Sequence, residues 1–424
     1  MKLTRHMTIV PENPDLSRFR VYSPHVKHLR GTPKYTVQFS IDDNSSLELG
    51  LLPNLQHITL VSQRHYDHND LGTLFAPINL EWVRHFLCPS LVSLRMFGVD
   101  VEQPVGDESN EHLPWMNRTA CLRLVAEMSD RCPGVETIQM FPDDSGKGFC
   151  EDSYYNLAGM SNLRSFTWSG HRVSQGLMSA LGELPCLESL YFMSNIAETP
   201  YPSPENPYNP DADTASNPIV LPGGSFPALN SLKLHNLGPQ TITKLCRLSL
   251  LFQGLTHLMV SYASYSSPYW CNISFGRDWS HDVFACLGHG SPHLKDLEIG
   301  NTPGPLALIR ATDQLRQMPL RRLSLSSAWI PNDEVGCWQF AEALPNVEEL
   351  EVWLELRCMW LPMFASRLPK LRYLHVNRLD FLNMEKMEEL ANREGQSGPY
   401  DQEITIRANF RLRYPMVNTV KEAG

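Results

Sequence analysis

An open α/β solenoid, with parallel strands lining its inner side and helices outside, is the fold this sequence predicts. Three observations predict it. A nine-residue phrase recurs along nearly the whole chain: an apolar residue or Ser, usually Pro, any residue, then Leu-x-x-Leu-x-Leu or a close relative. The segments between phrases carry apolar residues at helical spacing. At 424 residues the chain also exceeds the length at which a single globular core usually stops growing, which favours extension by repetition.

The phrase reads in full as Leu52-Pro53-Asn54-Leu55-Gln56-His57-Ile58-Thr59-Leu60, and again from Cys88 to Met96, Leu184 to Phe192 and Leu368 to Val376. Variants start around Pro24, Pro133, Ser161, Pro227, Gln253, Pro292, Pro319 and Pro345, which makes twelve occurrences. Apolar residues two apart at the end of each phrase mark one face of a short strand, and the Pro blocks continuation of any helix before it. Between them, Leu177, Leu181 and Leu184, then Leu245, Leu248 and Phe252, fall on one helical stripe each. The same holds for Leu308, Ala311, Leu315 and Met318, and for Cys337, Ala341 and Leu344. Strand, turn, helix and return form a leucine-rich-repeat unit, so the prediction is a horseshoe of about twelve irregular repeats. Each strand phrase contributes about three large apolar side chains, at about 1.5 to 3 kcal/mol apiece when fully buried. One unit alone loses to chain entropy, so neighbours must shield its open edges.

The predicted organisation is an extension or cap over 1–20, a single solenoid over 21–410 and a tail over 411–424. Two insertions interrupt the solenoid. Residues 198–226 are rich in Pro, Asn and Ser and read as a surface loop. Residues 261–280 crowd Tyr265, Tyr269, Trp270 and Trp279 together, either docked on the solenoid or forming a partner-contacting lid. Met384 to Arg393 reads as a last helix and Glu403 to Ile406 as a final strand.

Strand alternation predicts which residues face outward from the sheet. Candidates for protein binding on that inner face are Phe97, Phe141 and Tyr191, followed by Asp296, Glu298, Arg322, Glu349, Glu351, Trp353, Tyr373 and His375. The first half of the face reads as neutral with aromatics and the last third as acidic. Asp296, Arg322 and Glu349 share a row, where Arg322 is expected to neutralise both carboxylates, and Glu298 and Glu351 flank Ser324 in the next. Two readings stand open there: a solvated acidic face, or a site for a basic segment of a protein client, with Trp353 and Tyr373 as anchors.

Composition narrows the classes further. Hydrophobic content of 42% and charged content of 19% are those of a folded soluble protein, with no membrane span and no secretory leader expected. A net charge of -10 opposes generic affinity for nucleic acid. The cysteines are scattered over apolar positions, which reads as buried free thiols in a reducing compartment, cytoplasmic or nuclear. His65-Tyr66-Asp67-His68-Asn69-Asp70 lacks the ligand spacing of a zinc site, and no Gly-x-Ser-x-Gly, phosphate loop or Cys-x-x-Cys occurs. No metal, cofactor or catalytic residue is expected, and the chain is expected to be a monomer and not an enzyme.

Leu-Pro-Asn-Leu-x-x-Leu at Leu52, Cys-Pro-x-Leu-x-x-Leu at Cys88 and Leu-Pro-x-Leu-x-x-Leu at Leu184 resemble the leucine-rich-repeat portion of fungal F-box proteins. The stretch Asp15 to Arg30 looks like the junction that follows the F-box in that family. The resemblance implies the substrate-recognition part of a cullin ubiquitin ligase, with the repeats holding the substrate and an F-box binding the Skp1 adaptor. An F-box needs about forty helical residues opening on Leu-Pro, and only about twenty precede the first phrase here. Skp1 is therefore expected as a partner only if an F-box lies upstream, and a free-standing scaffold or decoy is the alternative.

Overall fold

The computed structural model describes residues 21–31, 52–61, 80–97, 116–143, 154–170, 173–194, 219–262, 279–300, 306–307, 311–326, 328–329, 334–357, 360–380 and 404–411. The extension over 1–20, the helix expected over Met384 to Arg393, the cluster His65 to Asp70 and the residues beyond Arg411 lie outside them. So do most of both insertions, including Tyr265, Tyr269 and Trp270, and the side chains of Trp279 and Trp353.

Two compact units share the chain. One comprises Met1–Ser169, Glu183–Leu187 and Ala197–Pro200, the other Gly170–Gly182, Glu188–Ile196 and Tyr201–Gly424. Both are built as the α/β leucine-rich-repeat solenoid that the phrase predicts, with parallel strands following one another in chain order. In the first unit these are β1 (His28–Gly31), β2 (His57–Val61), β3 (Ser93–Phe97), β5 (Thr137–Gln139) and β7 (Ser165–Ser169). The two-residue strands β4 (Met116–Asn117) and β6 (Pro142–Asp143) pair apart from them. In the second unit they are β8 (Ser189–Met193), β9 (Ser231–Leu237), β10 (His257–Tyr262), β11 (Asp296–Gly300), β13 (Arg322–Leu325), β15 (Glu349–Arg357), β16 (Tyr373–Asp380) and β17 (Thr405–Arg411). There β12 (Leu306–Ala307) pairs with β14 (Ala328–Trp329). Every one of the twelve phrases ends in a strand of the sheet, and β17 extends five residues beyond the expected end at Ile406.

The phrase folds this way for three local reasons. Its opening residues close a turn: the amide of the first Leu returns to the carbonyl three residues earlier, as in Leu55 to Leu52, Leu91 to Cys88, Leu255 to Phe252 and Leu371 to Leu368. The two amides entering each strand then share one carbonyl of the preceding repeat. Gln56 and His57 both bond Lys27, and Lys295 and Asp296 both bond Thr256, which locks successive strands into the same register. In the first unit the residue after the Pro adds a side-chain tie: Asn54 Nδ2 and Ser90 Oγ each donate to the carbonyl of the preceding phrase's Pro, Pro24 and Pro53, at 2.8 Å. Asn162 Nδ2 does the same with Pro133 at 2.8 Å. Small polar side chains at this position thus bridge repeats that backbone pairing alone would leave joined only at the strands.

Below the sheet lies the leucine ladder. Leu55, Ile58 and Leu60, then Leu94 and Met96, then Leu163, Phe166 and Trp168, are buried in the first unit, as are Leu232, Leu234, Leu297, Ile299, Leu350 and Val352 in the second. The helices that cover them match the predicted stripes. Gln175–Gly182 buries Leu177 and Leu181, and Glu334–Glu342 carries the buried Cys337 and Ala341. The stripe through Leu245, Leu248 and Phe252 is split into Pro239–Cys246 and Ser249–Phe252. The longest helix among the described residues, Arg118–Arg131, starts where Asn117 Oδ1 accepts the Ala120 amide and ends with the Arg131 guanidinium donating to the carbonyls of Arg84 and Leu87.

Asn236, at φ 60°, is the extra residue of a bulge where β9 slips against β10, and its Nδ2 donates to Ser194 O at 3.1 Å. Asn tolerates this left-handed conformation better than most side chains. Cys88, Cys121, Cys132, Cys246 and Cys337 are buried free thiols, and burial pushes Cys132 up to about 12. Among the described residues no helix is long and apolar enough to cross a membrane.

Candidate functional site

In the second unit, strand register arranges the side chains opposite the leucine ladder into two rows. One runs Ser231, His257, Asp296, Arg322, Glu349, Tyr373, Thr405, and the other Lys233, Met259, Glu298, Ser324, Glu351, His375, Arg407. Neighbours within a row stand one strand spacing apart, about 4.8 Å. Alternation drives these side chains away from the core because Leu297, Leu323 and Leu350 between them are buried.

The expected neutralisation of Asp296 and Glu349 by Arg322 is only half realised. Arg322 Nε approaches Glu349 Oε2 at 3.6 Å with both side chains more than half exposed, a contact worth at most about 1 kcal/mol. Asp296 instead meets the imidazole on its other side, with His257 Nε2 at 2.8 Å from Oδ2, while His257 Nδ1 lies 2.7 Å from Thr256 Oγ1. A rigid imidazole held in register needs less ordering than a long arginine side chain. In the second row, Glu351 lies between two polar neighbours: Ser324 Oγ donates to Oε2 at 3.3 Å, and His375 Nδ1 lies 2.9 Å from Oε1. Tyr373 is half-buried with its ring tilted against His375 at 6.5 Å. Glu298 is half-buried and has no hydrogen-bond or ion-pair partner among the described residues. A shallow depression of about 180 Å³ opens over these strands, bordered by Lys233, Met259, Asp296, Glu298 and Arg322.

Seven predicted site residues therefore stand on one surface: Asp296, Glu298, Arg322, Glu349, Glu351, Tyr373 and His375. Tyr191 stands on β8 opposite Lys233, half-buried, its ring edge-on to His235 at 6.4 Å and its phenol pushed up by burial.

Phe141 is a correction, since it is 1% exposed and belongs to the core. The alternation that placed it outward requires the strand to continue, but β5 stops at Gln139. The chain then turns to β6, the Phe141 carbonyl accepts the Met116 amide, and Met140 and Phe141 are both buried. Phe97 is half-buried at the end of β3. The first unit's outward row is consequently not aromatic: it presents Arg30, Thr59, Arg95 and Gln139.

His257 and Lys233 are on the outward face by the same alternation but are not among the selected binding residues, since nothing in the repeat pattern marks His257 as the partner of Asp296. Arg407, expected on the solvated face of a terminal strand, stands opposite His375 in the same row.

No protein-family model and no curated protein matches the sequence. Among solved structures, the chain is similar to the crystal structure of a TLR13–ssRNA13 complex, at 12% identity and a TM-score of 0.31, with 78% of this chain and 44% of that chain covered. The chain thus spans less than half of that neighbour's length. Assignment to the leucine-rich-repeat class rests on the parallel register and the buried ladder described above.

Proposed function

We propose that the chain is a protein-binding module and that the sheet face of its second unit receives a basic segment of a protein partner. The observation that carries this reading is how the four carboxylates are partnered. Asp296 and Glu351 are held by imidazoles and a hydroxyl, Glu298 by nothing described, and only Glu349 meets a guanidinium, loosely. Lys233 and Arg407, at the two ends of the second row, form no ion pair with these carboxylates among the described residues, so a Lys or Arg stripe arriving from a partner finds four carboxylates of which only one already meets a fixed positive charge. Met259 and Tyr373 add flat apolar surface between the charges.

In the form implied by the resemblance to fungal F-box proteins, that partner is a substrate held for ubiquitination. An in-frame F-box upstream of Met1, with Skp1 capture by that longer form, separates this reading from a free-standing scaffold, and residues 1–424 by themselves are expected not to capture Skp1.

Fluorescence anisotropy with a Lys/Arg-rich decapeptide tests the face. Glu298→Lys with Glu349→Lys should weaken binding at least about tenfold, and added salt should weaken the wild type too. Asp313→Lys with Glu342→Lys makes the same change in net charge on two helices and should leave affinity close to wild type. Equal loss in both double variants would overturn the reading.

A further inference from the structure

The first unit holds two thiols in register. Cys88 and Cys132 open successive phrases, and each stands five residues ahead of the strand that follows, β3 from Ser93 and β5 from Thr137. Because Ser93 pairs with Thr137 and Arg95 with Gln139, the same offset carries Cys88 onto Cys132 one repeat away. Both phrases close the same turn before the strand: the Leu91 amide bonds the Cys88 carbonyl at 3.0 Å, and the Val135 amide bonds the Cys132 carbonyl at 3.1 Å. Like turns stacked in register keep their first residues one strand spacing apart, about 4.8 Å. A disulfide needs Cα atoms about 4.4 to 6.8 Å apart.

The two residues also feel each other. Burial first, then the neighbouring Cys88 thiol, pushes Cys132 up, while a hydrogen bond from the Cys88 backbone opposes them. Cys88 Sγ in turn lies 3.3 Å from the Leu55 carbonyl oxygen and 3.2 Å from Ser90 Oγ. At the same phrase position the repeat before them buries Leu52 and the repeat after them Met160, so this junction carries paired thiols where its neighbours carry long apolar side chains.

We propose that Cys88 and Cys132 form a redox-sensitive lock, in which a small peroxide joins the repeats of β3 and β5 through a disulfide and a thiol reductant releases them. One sulfur is oxidised to a sulfenic acid as hydrogen peroxide gives up one water, and the second thiol then displaces that hydroxyl as another water. The two thiols thus surrender two protons and two electrons, and the peroxide takes up both. The link closes the stretch that contains the helix Arg118–Arg131, so it ties the repeat of that helix to its predecessor. At 3% and 1% exposed, the thiols are shut away from solvent in the folded unit, and the reaction waits for local opening of the junction. The lock therefore engages only where oxidant and local loosening coincide. It lies apart from the acidic face and stands whether or not that face binds a basic segment.

The test uses the full chain, first reduced, then exposed to hydrogen peroxide, blocked with iodoacetamide and mapped by mass spectrometry without reduction. A peptide joining Cys88 to Cys132 is expected, two hydrogens lighter than its separate halves, and dithiothreitol should restore both thiols. Urea well below the melting midpoint should speed its formation severalfold, and amide exchange in β3 and β5 should slow severalfold once it has formed. Cys88→Ala and Cys132→Ala should each lose that slowing. The linkage itself is read in the unmutated chain, so it is measured whether or not either variant folds. Absence of the joined peptide, pairing of either cysteine with a different one, or oxidation of either to a sulfinic acid in its place would overturn the proposal. Formation at the same rate with and without urea, or slowed exchange retained in the alanine variants, would equally overturn it.

Discussion

Acidification should loosen the second unit through one imidazole. His235 is half-buried in β9 beside Tyr191, and burial first, then the charge of Lys233 on the same strand, lowers its pKa from 6.5 to about 4. An unfolded chain takes up this proton near 6.5, whereas the folded unit refuses it until about pH 4. Between those values the unfolded state binds more protons, so the stability due to the neutral ring is complete above about pH 6.5 and drains away as pH falls toward 4. At about 1.4 kcal/mol per pH unit the whole window is worth about 3 kcal/mol, of which about 2 is gone by about pH 4.5. His235→Gln keeps a polar side chain of similar reach and removes the titration. Urea melts near pH 7 and pH 4.5, read by amide exchange in β9 and β10, should show the wild type losing about 2 kcal/mol more than the variant. Parallel losses in the two proteins would refute the reasoning, because carboxylate titration common to both would then account for all the acid sensitivity.

The packing makes two further predictions. Gly254→Ala should destabilise by about 1 to 3 kcal/mol in denaturant melts, since its new Cβ would lie 2.8 Å from the Leu229 carbonyl oxygen, which as backbone cannot swing aside. Leu297→Ala, at a ladder position 1% exposed between β10 and β13, should cost about 2 to 5 kcal/mol and speed amide exchange in both neighbouring strands.

Much of this architecture is legible in the sequence because one physical rule repeats. An apolar residue two places from another on a short strand must point to the core, so Leu55, Ile58 and Leu60 fix their own register, and the next phrase inherits it through the shared carbonyl of Gln56. The same rule misplaces Phe141, because a period of two says nothing about where a strand ends, and β5 ends two residues earlier. Two-residue pairings such as β4 with β6 are too short to leave a periodic trace. The side-chain ties from Asn54, Ser90 and Asn162 are visible as small polar residues just before the first Leu of the phrase, yet their acceptors belong to the preceding repeat and emerge only once repeats are stacked. On the acidic face the row was readable but the pairing was not. Asp296 had Arg322 on one side and His257 on the other, and the choice depended on side-chain reach rather than on sequence distance.

Carbodiimide cross-linking of the lysine-rich probe to carboxylates, with peptide mapping by mass spectrometry, tests most directly the claim that the open sheet face of the second unit is the docking surface. Adducts are expected at Glu298 and Glu349, with Asp313 and Glu342 on the helices remaining unmodified. Adducts on the helices with none at Glu298 and Glu349, or spread evenly over both sets, would contradict it.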